Sequence, residues 1–361
     1  MSHETLITIW FLLEAVLWIG FFFLEGFDFG VAMLYPVIGR DPRERRVMIN
    51  AIGPTWDANE VWLIAAGGAM FAAFPGWYSA LFAGLYLPLL LVLLGLIVRA
   101  ISFEYRALMP DDNWRDSFDW CSTIGSLIVS LVFGVGFANM WIGMPMAGDP
   151  AYVTSSFWSL FSPFGLLGGI LAVALFMVHG AVFLSLKTSG EVREKANRVV
   201  KALGPVALLL LVAFIVIGNI AYPASDNPFL GDGATMVMWI TGVVCVVALG
   251  FAVVMHNRQD PWRREGLAFL GTGAAIIALF ASHFIKMYGT LGFAPAPGTE
   301  FNAGVAASSQ ATLSLMSMAA LVIMPIVLAC TAWSYTVFRR RLSVRNMPPE
   351  PSEAAEVLAK S

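Results

Sequence analysis

The sequence predicts an all-α integral membrane protein: about nine transmembrane helices, two four-helix bundles plus one peripheral helix, N-terminus outside and C-terminus cytoplasmic. Three observations predict it. The 361 residues are 58% hydrophobic and 12% charged, with a mean hydropathy of +0.76, whereas a soluble domain carries roughly 25% charged residues. So little charge cannot cover a water-soluble globule, so lipid must solvate the chain. The same composition excludes disorder, collagen, disulfide scaffolds and nucleic-acid binding. Apolar segments of about 20 residues, enough to cross a bilayer, recur along the chain. The basic residues, finally, collect in alternate connectors.

The segments run roughly 6–38, 55–74, 77–99, 119–142, 159–187, 203–222, 235–256, 265–284 and 312–338. The first is too long for the core of a signal peptide, lacks a basic n-region and shows no cleavage site at the right depth. It is read as a long membrane helix, tilted or projecting beyond the bilayer. Breakers separate later segments: Pro75-Gly76, Gly143 to Pro150, Tyr222-Pro223 and the Pro/Gly-rich 293–298. The expected units are a first bundle at 1–142, a second at 143–290, an outer loop with the ninth helix at 291–340 and a disordered cytoplasmic tail at 341–361, rich in Pro348, Pro349, Pro351 and Ser352.

All but one of the 21 Lys and Arg residues fall in Arg40–Arg46, Arg99–Arg115, Lys187–Lys201, Arg258–Arg264 and Arg339–Lys360; the exception is Lys286. By the positive-inside rule that side is cytoplasmic. Asn50-Ala51-Ile52-Gly53-Pro54 and Lys201-Ala202-Leu203-Gly204-Pro205 suggest an internal repeat of two bundles. Two similar helix starts would look the same.

A charge at a membrane helix centre costs about 2.5–3.5 kcal/mol on insertion scales, which makes such residues functional candidates. The first segment holds Glu14, Glu25 and Asp28, and the second Asp57 and Glu60. Glu25 and Asp28 share a helical face, as do Asp57 and Glu60. The antiparallel course of the two segments puts Asp28 and Asp57 at similar depth in the cytoplasmic half. Such acids can pass protons among neighbours and bound water, or pair with Arg99 and hold helices together. Proton conduction is favoured for Asp57. Both roles stay open for Glu25 and Asp28, and structure is favoured for Glu60. Glu14 reads as a hydrogen bonder inside the bundle, Arg99 as an anchor snorkelling to headgroups, and Glu104 as a solvated acid. Trp56 and Trp62 flank the acids and fit an interfacial belt, Trp62 less well.

Of the four histidines only His179 lies well inside a span, where hydrogen bonding within the bundle is expected, and no haem-iron ligand is expected in this chain. Cys121, Cys245 and Cys330 form no CxxC and read as packed hydrophobes. Nucleotide and metalloprotease motifs are absent.

The runs Gly26-Phe27-Asp28-Phe29-Gly30, Glu44-Arg45-Arg46, Ile49-Asn50 and Trp56-Asp57-Ala58-Asn59-Glu60-Val61-Trp62-Leu63 stand close together. Ala66-Gly67-Gly68-Ala69, Phe71-Ala72-Ala73-Phe74-Pro75 and Arg99 with Phe103-Glu104-Tyr105-Arg106 continue the pattern. Pro163-Phe164-Gly165-Leu166-Leu167-Gly168-Gly169, His179-Gly180-Ala181, Lys187-Thr188-Ser189-Gly190-Glu191 and Thr331-Ala332-Trp333 extend it over nearly the whole chain. With these residues the chain resembles subunit II of the cytochrome bd-type quinol oxidases. The resemblance implies a bacterial cell-membrane complex with subunit I, which ligates the b- and d-type haems and holds the quinol site. It implies oxidation of quinol and reduction of dioxygen to water with protons drawn from the cytoplasm and no pumping. It also allows for a structural quinone in a lipid-facing groove and for small single-helix subunits.

The resemblance places Asp57 and Glu104 on the proton route and Trp62 on an apolar oxygen passage. Together with the membrane acids, the candidate pathway is Asp57, Glu104, Asp28, Glu25 and Glu60, supported by Trp56, Asn59 and Arg99. Position 104 is Glu where relatives often have Asp. The stretch 286–311 lacks a run many relatives carry, and 203–222 has no counterpart of the acid cluster. The competing readings are a proton-coupled secondary transporter using the same acids and a purely structural subunit.

Overall fold

In lipid every backbone N–H and C=O must be satisfied within the protein, and an apolar run does this most simply as a helix. The computed structural model describes residues 1–109, 111–231, 233–256 and 261–347, with the backbone alone at 226, 261–263 and 346. The chain opens with α1 (His3–Met33), α2 (Tyr35–Ile38) and α3 (Pro42–Ile52), then α4 (Trp56–Ala73), α5 (Pro75–Gly84), α6 (Tyr86–Tyr105) and α7 (Asp112–Ile142). Strands β1 (Met144–Ala147) and β2 (Tyr152–Val153) precede α8 (Pro163–Lys187), α9 (Glu191–Ala221), α10 (Ala234–His256) and α11 (Pro261–Met287). Strand β3 (Phe293–Pro295), α12 (Ala303–Ala306) and α13 (Gln310–Val337) follow.

Among the described residues eight helices are long and apolar enough to cross a membrane: α1, α6, α7, α8, α9, α10, α11 and α13. The segment expected at 55–74 forms α4, which has 18 residues and opens with Asp57, Asn59 and Glu60. These polar residues keep it out of the eight.

Proline rewrites two of the expected segments. The first run stops at Met33 and resumes as α2, because Pro36 has no N–H to offer the carbonyl of Ala32 and its ring crowds that carbonyl. The third run breaks at Leu85 into α5 and α6, Pro88 standing in the same relation to Gly84. Elsewhere the helices outrun the apolar segments: α7 starts at Asp112 and α9 at Glu191, each with a polar first part.

Helix α1 is the centre of the molecule and packs against α4, α7, α8, α11 and α13. Phe21, Phe22, Phe27 and Phe29 on it are fully buried. Its approach to α8 is a backbone contact, since a Cβ on Gly30 would lie 1.9 Å from the Phe176 carbonyl oxygen. Helices α6 and α7 meet in the same way, through Gly95 and Gly125. Helix α13 lies outermost, held by Trp10 Nε1 donating to the Leu313 carbonyl at 3.1 Å and to Ser317 Oγ at 3.0 Å.

At one end, β1 pairs antiparallel with β2 and parallel with β3. Strands of two to four residues are too short to show alternation, so the sequence reads them as connectors. The opposite end carries the basic residues. There Asp119 joins Arg106 and Arg45, Glu44 pairs with Lys195, and Glu265 takes both Arg193 and Arg341. The last pair corrects the expected start of the disordered tail. Leu342 N donates to the Lys187 carbonyl and the Leu342 carbonyl accepts from Ser189 N, both at 2.9 Å, so 341–347 is docked on the end of α8. The remainder of that tail, 348–361, with its prolines, lies outside the described residues, as do Arg258 and Lys360.

Candidate functional site: buried carboxylates around Arg99

Helix α4 faces α1 with a stripe of buried residues, Asn59, Trp62, Ala66, Met70 and Ala73, at the three- and four-residue spacing of one helix face. That stripe fixes the rotation of α4. Asn59 points at α1 and its Nδ2 donates to Asp28 Oδ2 at 2.7 Å. Glu60, one residue on, turns sideways toward α6, whereas Asp57, two residues back, points away and is exposed. Helix α6 supplies Arg99. Its Nη1 forms an ion pair with Glu25 and donates a hydrogen bond to Glu60.

Glu25, Asp28 and Arg99 have no exposed surface, while the Glu60 side chain is 17% exposed. The cluster therefore runs from the protein core to the α4–α6 surface. Aromatic rings wall the cation: the guanidinium carbon lies 4.9 Å from the Phe29 centroid, 5.2 Å from Phe103 and 5.9 Å from Trp56. Trp56 and Phe103 are themselves 4.8 Å apart and close the cluster toward the outside of the bundle. Tyr335 of α13 completes it, donating to Asn59 Oδ1 at 2.8 Å.

One guanidinium faces three carboxylates here. Burying uncompensated charge costs several kcal/mol per ion, so the group is electrically neutral only when protons share the carboxylates. A neutral, proton-sharing group of acids that reaches the surface at one end can hold and pass protons.

The structure thus brings together Glu25, Asp28, Glu60, Asn59, Trp56 and Arg99. It leaves Asp57 and Glu104 exposed, near the cluster along the chain but not in it. Arg99 corrects the expectation of a snorkelling anchor: α6 continues to Tyr105, so Arg99 lies well inside the helix. Trp62 packs on α1, and a Cβ on Gly20 would come within 2.3 Å of its ring. It is not among the residues lining the apolar groove between α4 and α5–α6, a cavity of about 590 Å³. Glu14 is fully buried with neither carboxylate oxygen hydrogen-bonded. His179 bonds within the bundle, Nδ1 to Thr272 Oγ1 at 2.7 Å and Nε2 to the Phe23 carbonyl at 3.1 Å. Sequence reasoning missed Tyr335, a lone tyrosine near the end of an apolar run with no local signal.

Comparison with known proteins now gives the family. The chain matches the family described as cytochrome bd terminal oxidase subunit II over residues 6–338. It belongs to that family. Cytochrome bd ubiquinol oxidase subunit 2 of Bacillus subtilis is 36% identical over 336 residues, covering 93% of this chain and 96% of the relative. Cytochrome bd-I ubiquinol oxidase subunit 2 of Escherichia coli K12 is 36% identical over 365 residues, covering 93% and 94%. A probable cytochrome oxidase subunit 2 of Haemophilus influenzae is 34% identical over 95% of this chain and 96% of its own length. The solved bd oxidase of Geobacillus thermodenitrificans contains a chain with the same fold, at TM-score 0.70 and 17% identity, covering 92% of this chain and 98% of that one.

This subunit II is accordingly a multi-pass protein of the bacterial cell membrane and part of a quinol oxidase complex. Family membership sets the secondary-transporter reading aside.

Proposed function

We propose that this subunit II pairs with a haem-bearing subunit I and carries cytoplasmic protons toward the site where that partner reduces dioxygen with electrons from quinol. The observation that carries the reading is Arg99 bridging a fully buried Glu25 and a partly exposed Glu60. Protons held on Glu25 and Asp28 pass by way of Glu60 to the α4–α6 face, where Asp57 and Glu104 stand exposed and subunit I would cover them. Trp56 and Phe103 screen Arg99, and Asn59 orients Asp28.

In this reading α4 is also a span, giving nine: 18 residues of helix reach about 27 Å, close to the roughly 30 Å of a hydrocarbon core. The basic end is cytoplasmic. His179, the histidine set well inside a span, offers no nitrogen to haem iron, because both of its ring nitrogens are engaged within the bundle. The b- and d-type haems are assigned to subunit I. The apolar groove between α4 and α5–α6 suits a structural quinone, since a Cβ added at Gly67 or Gly68 would meet nothing within 4 Å. Leu63, Ile64, Leu89 and Leu93 would hold its tail. Oxygen passage beside Trp62 belongs to the same reading.

The test is Asp57→Asn in the purified two-subunit complex. Oxygen reduction about tenfold slower, with the haem spectrum intact, is expected of a lost proton carrier. Unchanged turnover removes Asp57 from the route.

A further inference from the structure

At the basic end, the α2–α3 connection and α7 enclose a polar cavity of about 260 Å³, lined by Tyr35, Arg40, Arg45, Asp116, Asp119 and Thr123 among others. Its mouth is open: the Asp116 side chain is 55% exposed. Its depth is not, for Asp119 is buried and accepts from Arg106 Nε at 2.7 Å and from Arg45 Nη1 at 3.0 Å. Tyr35 forms the inner wall. Its hydroxyl is buried without a hydrogen-bond partner, faces Ser122 and lies within electrostatic reach of Asp119, Arg99 and Arg106.

Beyond it, Ser122 and Ser126 follow one another at a single turn's spacing on α7, both buried and both with an unpartnered Oγ. They flank Gly125, where the Cβ of an added side chain would lie 3.5 Å from Arg99 Cβ. Arg99 itself has Nε and Nη2 unpartnered beside Glu25. A buried hydroxyl left unsatisfied costs about 1–3 kcal/mol, and buried polar groups of this kind ordinarily bond ordered water. Three such hydroxyls in sequence between a solvent-open cavity and a buried acid are costly to hold for packing alone.

We infer that this cavity is the cytoplasmic proton entrance, and that Tyr35, Ser122 and Ser126, with intervening water, deliver protons to Glu25. The inference rests on the reading of the acid cluster as a proton carrier and adds where its protons come from. They enter between α2 and α7 and leave at the opposite, α4–α6 face. At each hydroxyl an O–H bond forms as another breaks, with no change of charge or oxidation state. Arg40, Arg45, Arg106, Asp116 and Asp119 set the field at the entrance, and Arg99 sets it at the end.

The test uses the complete complex carrying Tyr35→Phe, Ser122→Ala or, as a reference, Glu25→Gln. Turnover and its solvent deuterium isotope effect are measured at saturating quinol, with haem absorption as the assembly control. Tyr35→Phe and Ser122→Ala are each expected to slow oxygen reduction about fivefold and raise the isotope effect. Tyr35→Phe should add nothing to Glu25→Gln. Should Tyr35→Phe fail to assemble, Ser122→Ala decides. Slower turnover without a change in isotope effect marks a packing role and overturns the inference. So does normal turnover in both hydroxyl variants while Glu25→Gln is slow. Normal turnover in Glu25→Gln as well would overturn the cluster's carrier role, and the entrance with it.

Discussion

Tyr335, near the end of the outermost helix, donates a 2.8 Å hydrogen bond to Asn59, whose amide in turn holds Asp28. The peripheral α13 is thus tied to a fully buried acid of α1 through one amide of α4. Among the described residues the direct side-chain hydrogen bonds from α1 to α13 come from Trp10, at the far end of both helices. Tyr335→Phe should therefore loosen the near end. The expected cost is about 1 kcal/mol, read as a lower midpoint of thermal inactivation of the complex, with faster proteolysis after α13 and a modest loss of turnover. A midpoint equal to that of the unsubstituted complex would show the bond to be incidental.

Arg99 is where stability and function meet. Removing one member of a buried ion pair leaves charge without compensation and costs about 3–5 kcal/mol. Arg99→Met is expected to lose most assembled complex, measured as haem absorbance per unit of membrane protein. Adding Glu25→Gln and Glu60→Gln removes the two carboxylates paired with Arg99 and leaves Asp28 on its Asn59 hydrogen bond, so the triple variant should recover assembly while turnover stays low. Failure of the triple variant to recover would mean that Arg99 acts mainly through its packing on Phe29, Trp56 and Phe103.

These residues also show how far the sequence could be read. Glu25 and Asp28 stand out because they interrupt an apolar run, and an isolated carboxylate in lipid needs a reason. A ruler of about 20 residues ends the third segment at Arg99 and so sets it at the membrane edge. The Pro88 break shifts the start of α6 and lets it run on to Tyr105, which carries the arginine inward. The i, i+3 rule put Asp57 and Glu60 on one face, yet the Asn59–Trp62–Ala66 stripe decides which flank is buried. Tyr335 and the Ser122–Ser126 pair were invisible for a different reason: their partners are distant in sequence, and only packing brings them together.

Glycine contacts separate packing from open space. Gly30→Ala would drive a Cβ into the Phe176 carbonyl oxygen. Relief requires α1 and α8 to move apart, so the cost should reach or exceed the roughly 1–3 kcal/mol of ordinary overpacking. Gly67→Ala, with nothing in the way, should be neutral or stabilising by up to about 1 kcal/mol through helix propensity. Thermal midpoints of the two complexes should fall on opposite sides of the unsubstituted value or straddle it with Gly67→Ala near zero shift. Equal losses would contradict the packing described.

The groove gives a chemical readout. Gly68→Leu should fill part of the space between α4 and α5–α6 without disturbing α1. Quinone extracted with the purified complex is expected to fall while haem content holds. Quinone retained in full would place it elsewhere.

The central claim is that Glu25 carries protons used in oxygen reduction. Its most direct measurement is turnover and proton uptake by the Glu25→Gln complex in sealed vesicles, normalised to haem. The expected result is a complete haem spectrum with oxygen reduction and proton uptake slowed together, by about tenfold or more. A fully assembled Glu25→Gln complex that takes up protons and reduces oxygen at the normal rate would contradict it.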